Sequence, residues 1–104
     1  MNYSRYLALL EDAKQTDMDL LIAENPLSIE DGEKAVKAGS ILWLTAHGDV
    51  AGLAKELNVS NYGFGKMFGI PIRTAQQWIT GSRKAPEYVV QMMGFILISD
   101  LCEG

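Results

Sequence analysis

Apolar residues recur at three- and four-residue spacings along most of the chain, and no segment shows the sustained two-residue alternation of a half-buried strand. Tyr3, Tyr6, Leu7, Leu10 and Ala13 predict a first helix over 3–14. A second piece, 17–24, is stopped by Asn25-Pro26, because the residue before a proline avoids the helical region. Ser28 then reads as an N-cap with Asp31 at the third position, opening a helix to about Ala46 with Ala35, Ala38, Leu42 and Ala46 near one face. Gly32 and Gly39 oppose that helix by about 1 kcal/mol each relative to alanine. Gly48 ends it, and Asp49 caps a helix over 50–57. Ser60 caps 61–68, which Gly69 terminates; 72–80 follows and ends at Gly81. Pro86 suits the first position of a last helix reaching about Leu101. The β-branched run 94–98 lies inside that longer helical pattern.

These elements predict an all-α fold, a compact bundle of about six to seven helices that contains a helix-turn-helix. The expected organisation is a single domain over 1–104, with an acidic helical extension (1–48) and a helix-turn-helix core plus C-terminal helix (49–101). With 104 residues and 48% hydrophobic content, the chain can bury one modest core. No apolar run is long enough to cross a bilayer, and the first residues lack the small-residue cleavage site of a signal peptide. Cys102 is the only cysteine, which excludes an internal disulfide and fits a cytoplasmic location.

A net charge of −4 argues against nucleic acid until the chain is divided. Residues 1–54 carry four Lys/Arg against nine Asp/Glu, a balance of −5. Residues 55–88 carry Lys55, Lys66, Arg73, Arg83 and Lys84 against Glu56 and Glu87, a balance of +3. Counterion release from DNA depends on cations close to phosphates, not on the sum over a chain. One face can therefore bind DNA while the acidic remainder limits nonspecific affinity.

The basic island is SNYGFGKMFGIPIRTAQQWITGSRKAP, residues 60–86. A helix-turn-helix needs a small residue where its two helices cross, a glycine in the turn and apolar positions facing inward from both helices. Gly65, Gly69 and the set Phe64, Phe68, Ile70, Ala75 and Trp78 meet those demands. Arginine and glutamine can each make bidentate hydrogen bonds to base edges in the major groove, and an aliphatic side chain can pack on a thymine methyl.

At these residues the chain resembles the Cro/cI-type (XRE-like) helix-turn-helix domain of phage repressors and small bacterial regulators. The resemblance spans about 50–98 and is most specific over 60–88. It implies a transcriptional regulator that binds double-stranded operator DNA as a homodimer, with the second helix in the major groove. Carried over position by position, it implies base contacts from Ile72, Arg73, Thr74, Gln76 and Gln77. It implies phosphate contacts from Asn61, Ser82, Arg83 and Lys84. Two positions depart from the family's pattern: Ile79 follows the late tryptophan where an acidic residue is usual, and Ala75 replaces a larger aliphatic.

A second register, 52–68, also has helix-turn-helix spacing through Leu53, Ala54, Leu57 and Val59, but its reading helix would offer only Lys66 as a cation. A rival of another class is a protein-interaction module or inhibitor that keeps the scaffold without binding DNA. In it the acidic N-terminal helices would meet a protein partner. The last helix, with Val89, Val90, Met92, Met93, Phe95 and Ile96, is apolar nearly all round, so the N-terminal helices or a second subunit must cover it. His47 reads as a solvated or capping residue, and Trp43 and Trp78 as core. One histidine and one cysteine make no zinc site and no nucleophilic triad, and GFGKMFG lacks phosphate-loop spacing. No catalytic residue, metal or cofactor is expected.

Overall fold

Short polar side chains start most of the helices by accepting hydrogen bonds from backbone N–H groups that lack a partner in the first turn. A computed structural model describes residues 1–103, which form seven helices and no strand. In chain order these are α1 (Tyr3–Lys14), α2 (Met18–Glu24), α3 (Gly32–Ala46), α4 (Val50–Leu57), α5 (Asn61–Phe68), α6 (Ile72–Thr80) and α7 (Glu87–Glu103). Asn2, Asp17, Asp31, Asp49 and Ser60 cap the first five at 2.8–3.1 Å. Pro71 and Pro86 precede the last two. The Pro86 carbonyl accepts from Val90 N–H at 3.2 Å, so α7 begins one residue later than its proline suggests.

The start of α3 corrects the sequence reading. Ser28 does not cap it; Asp31 does, accepting from Lys34 N–H. The cause lies three residues earlier, at Asn25. That residue takes a left-handed conformation, and its side chain grips Ile29 by both groups, Nδ2 donating to the Ile29 carbonyl (2.9 Å) and Oδ1 accepting from its N–H (3.2 Å). The closed loop holds Ser28 at φ +53°, where no helix can begin.

Helix α3 is the hub, packing against α1, α2, α4 and α7. Ala38, Ile41, Leu42 and Leu44 are buried along it, and the last three meet Tyr6, Leu10, Leu53, Met93 and Ile98 in one core. Gly39, a weak point by helix propensity, is a crossing point: a Cβ there would stand 2.8 Å from Ile22 Cγ1 and 3.1 Å from Ile22 Cα. Gly94 plays the same part between α7 and α3. A Cβ there would collide with the Thr45 hydroxyl and with the Tyr6 phenol. Tyr6, fully buried, donates to the Gln91 carbonyl at 2.6 Å and so ties α1 to α7. Burial, reinforced by nearby Tyr3, raises this phenol well above its ordinary range. Thr45 Oγ1 adjoins it and is a buried polar atom with no hydrogen-bond partner among the described residues.

The N-terminal helices therefore cover one side of α7, burying Val90, Met93, Gly94, Leu97 and Ile98. Tyr88, Met92 and Ile96 stay exposed on its other side. Trp43 is half-buried, donating from Nε1 to the Thr16 carbonyl at 2.7 Å, with the His47 ring stacked on it. No helix among the described residues is long and apolar enough to cross a membrane.

Candidate nucleic-acid interface

Two close approaches set the angle between α5 and α6. The first is at Gly65, which is buried and leaves no room for a side chain. A Cβ there would lie 2.7 Å from the Ile70 carbonyl oxygen, 3.6 Å from Ala75 Cβ and 3.7 Å from Ile72 Cα. The second is the hydrogen bond from Ile70 N–H to the Gly65 carbonyl at 2.8 Å. Gly69 makes the turn between them, at a φ of +67° that an L side chain resists. Phe64 is fully buried beneath the turn, and Phe68 and Ile70 pack half-buried against the same core. Residues 61–80 are thus a helix-turn-helix in the 60–81 register, with α4 packed against α6.

Helix α6 is sharply two-faced. Ala75 is fully buried, with Trp78 and Ile79 half-buried beside it. At about 100° per residue, Arg73, Gln76, Gln77 and Thr80 fall within roughly a 100° arc on the opposite side. Arg73, Gln76 and Thr80 are exposed there, while Gln77 is half-buried. Ile72, 53% exposed, stands at the edge of this face in the first turn. Thr74 is half-buried on the flank next to Trp78, apart from Arg73 and Gln76. The structure therefore places Arg73, Gln76 and Gln77 on one face, with Ile72 at one edge of it and Thr74 on the other flank beside Gln77.

Of the residues expected to meet phosphate, Asn61 is the first residue of α5 and is half-buried behind the Ser60 cap. Gly81 ends α6 at φ +83°, and the chain folds back over its C-terminus. Arg83 N–H donates to the Gln77 carbonyl at 3.2 Å, and the Ser82 hydroxyl reaches the same carbonyl at 3.4 Å. Ala85 is buried and pins the loop to the core. Ser82, Arg83 and Lys84 are all exposed beside the C-terminal end of α6.

The charges of this surface are free. The ion pairs among the described residues all involve Lys14, which meets Glu11 at 3.0 Å and Glu87 at 3.7 Å. Both carboxylates raise the Lys14 pKa, Glu11 more than Glu87. Arg73, Arg83 and Lys84 have no such partner. Lys14 also leaves Glu87, the carboxylate nearest in sequence to Lys84, partly neutralised. Among the described residues no three His, Cys, Asp or Glu side chains stand close enough to hold a metal ion.

Compared with known proteins, the chain matches no family model, no curated protein and no solved structure. The reading of this surface rests on its own geometry. That geometry adds two residues that the sequence reading did not assign to the site. Tyr62 and Lys66, one turn apart on the outer face of α5, place Lys66 Nζ 5.8 Å from the tyrosine ring centroid. Their i, i+4 spacing was the available signal.

Proposed function

We propose that this chain binds double-stranded DNA in the major groove through α6, as a small transcriptional regulator of bacterial or phage type. One observation carries the proposal. The exposed face of α6 collects Arg73, Gln76, Gln77 and Ile72, and unpaired Arg83 and Lys84 flank its end. Arg73 would donate two hydrogen bonds to guanine O6 and N7, and a glutamine would pair with adenine N6 and N7. Each such pair is worth about 1–3 kcal/mol of discrimination. Ile72 would pack on a thymine methyl. Arg83, Lys84, Ser82 and the α5 start at Asn61 would fix register on the phosphates without reading sequence.

A homodimer fits this reading, because two α6 helices related by a two-fold axis would enter successive major grooves about 34 Å apart. The exposed Tyr88, Met92 and Ile96 of α7 favour a protein contact on that face, and a second subunit supplies one. The same patch is what favours the alternative, a protein-interaction module without DNA.

Binding of short duplexes, selected from a random pool and titrated at several salt concentrations, separates the two. Arg73→Ala should lose sequence preference. Lys84→Ala should weaken all duplexes alike and make the salt dependence shallower by about 0.9 in log–log slope. Absence of binding by the wild-type protein at low salt would sink the DNA reading.

A further inference from the structure

Beside the elbow of the helix-turn-helix runs an open groove of about 550 Å³, walled by Tyr62 and Lys66 of α5 and by Pro71 and Ile72 at the start of α6. Its floor includes Gly65 and Gly69, and no carboxylate lines it. Lys66 is exposed and has no carboxylate within ion-pair distance among the described residues. Tyr62 is 59% exposed, with its hydroxyl free of any hydrogen bond among the described residues and its ring beneath the Lys66 ammonium. A cation, a free phenol and an apolar wall at the edge of a base-facing helix match the chemistry of a sugar–phosphate strand.

We infer that Tyr62 and Lys66 hold the DNA strand on the side of the major groove opposite the 82–84 loop. This deepens the proposed function and rests on it. A helix with its side chains is about 10–12 Å across, and the major groove is about 12 Å wide, so a helix lying in it meets phosphates on both walls. Arg83 and Lys84 sit past the C-terminal end of α6 and can serve only one wall. At the other end, the first turn of α6 carries Ile72, and the cation sharing the groove with it is Lys66. The ammonium would neutralise a phosphate, the phenol would donate to a phosphate oxygen, and the ring would pack on the adjoining deoxyribose. Gly69, exposed and with nothing within 4 Å of a Cβ, leaves that strand room to approach the turn closely.

Lys66 also lies in the last turn of α5, where a cation meets the negative end of the helix dipole and stabilises the helix. The test therefore reads salt dependence and stability together. Lys66→Gln, Tyr62→Ala and Lys84→Ala are compared with wild type for duplex binding between about 50 and 200 mM salt. Lys34→Gln, on the acidic side of the chain, is the control. Lys66→Gln should reduce the loss of affinity across that fourfold salt range by about 3.5-fold, one phosphate's worth, with sequence preference intact. Tyr62→Ala should weaken selected and scrambled duplexes by the same factor. Lys34→Gln should move neither. An unchanged salt slope in Lys66→Gln, with Lys84→Ala shallower, would overturn this inference and leave the DNA reading standing. A lower urea midpoint in Lys66→Gln at unchanged slope assigns the residue to helix stability and also overturns it. Wild-type protein that binds no duplex overturns both.

Discussion

Adding one methyl group at Gly65 separates two accounts of that residue. If Gly65 were only a poor helix former, alanine would stabilise α5 by about 1 kcal/mol. The structure gives the opposite sign. The new Cβ would lie 2.7 Å from the Ile70 carbonyl oxygen, a backbone atom that cannot rotate away. That carbonyl is held from both sides: Ile70 N–H is bonded to the Gly65 carbonyl at 2.8 Å, and the next residue is Pro71, whose ring fixes φ. Relief requires α5 and α6 to part by several tenths of an ångström, and overpacking of this kind costs about 1–3 kcal/mol. Set against the propensity gain, the net is a loss of about 1 kcal/mol, or about 4–8 °C in Tm for a domain of this size. Gly32→Ala is the reference, because nothing lies within 4 Å of a Cβ there and its φ is not positive. Urea unfolding followed by far-ultraviolet circular dichroism measures both. A Gly65→Ala midpoint equal to or above that of Gly32→Ala would refute the close approach, and with it the helix crossing that presents α6.

Gly94→Ala should cost more, about 3 kcal/mol, because the atoms it meets are the buried Thr45 side chain and the Tyr6 phenol; a urea midpoint within error of wild type would contradict the packing of α7 on α3. Tyr6 predicts an alkaline limit to stability. Its phenol is held neutral in the fold by burial, while a free tyrosine ionises near pH 10, so the contribution is complete below about pH 10 and is lost as the pH rises further. The decline should approach about 1.4 kcal/mol per pH unit. Tyr6→Phe should be less stable at neutral pH by about 1 kcal/mol, through loss of the bond to the Gln91 carbonyl, yet should show a flatter alkaline decline. Parallel alkaline declines in the two proteins would contradict that account.

What could be read from the chain was whatever is decided within one turn of helix. Ser60, Gly69 and Gly81 act on their immediate neighbours through a hydroxyl or a left-handed backbone, and the bounds of α5 and α6 fall where they put them. The inward set of Phe64, Ala75 and Trp78 was legible for the same reason, since 3.6-residue periodicity is local. Ser28 misled because its residue type suits a cap, while the loop it sits in is dictated by the side chain of Asn25. Gly39 read as a flaw because propensity is local and interhelical distance is not. It is the point where Ile22 of α2 comes closest, as Gly94 is for Thr45 of α3 and Tyr6 of α1. Of the candidate site, Arg73, Gln76 and Gln77 could be placed on one face by counting along α6. The pairing of Tyr62 and Lys66 with Ile72 could not, because the groove they share exists only once Gly65 has let the helices meet.

The acidity of the chain is reconciled with a DNA-facing surface by where the layers fall. Helices α1 and α2, with Glu11, Asp12, Asp17, Asp19 and Glu24, pack on α3, and α1 also reaches α7. Helices α5 and α6 pack on each other, and α6 rests on α4. Helices α3 and α4 therefore stand between these five of the thirteen carboxylates and the base-facing side chains. A helix layer is about 10 Å thick, close to the Debye length of about 10 Å at 0.1 M salt. At that separation salt weakens the repulsion between the α1 and α2 carboxylates and DNA lying along α6 to about a third of its unscreened strength. Asp49 and Glu56 belong to α4 itself, and Glu87, at the start of α7 and close in sequence to Lys84, also lies outside the partition; Lys14 reaches Glu87 from α1. The extension thus does more than bury α7: α1 and α2 hold their carboxylates one layer away from the basic surface, and Lys14 of α1 offsets Glu87.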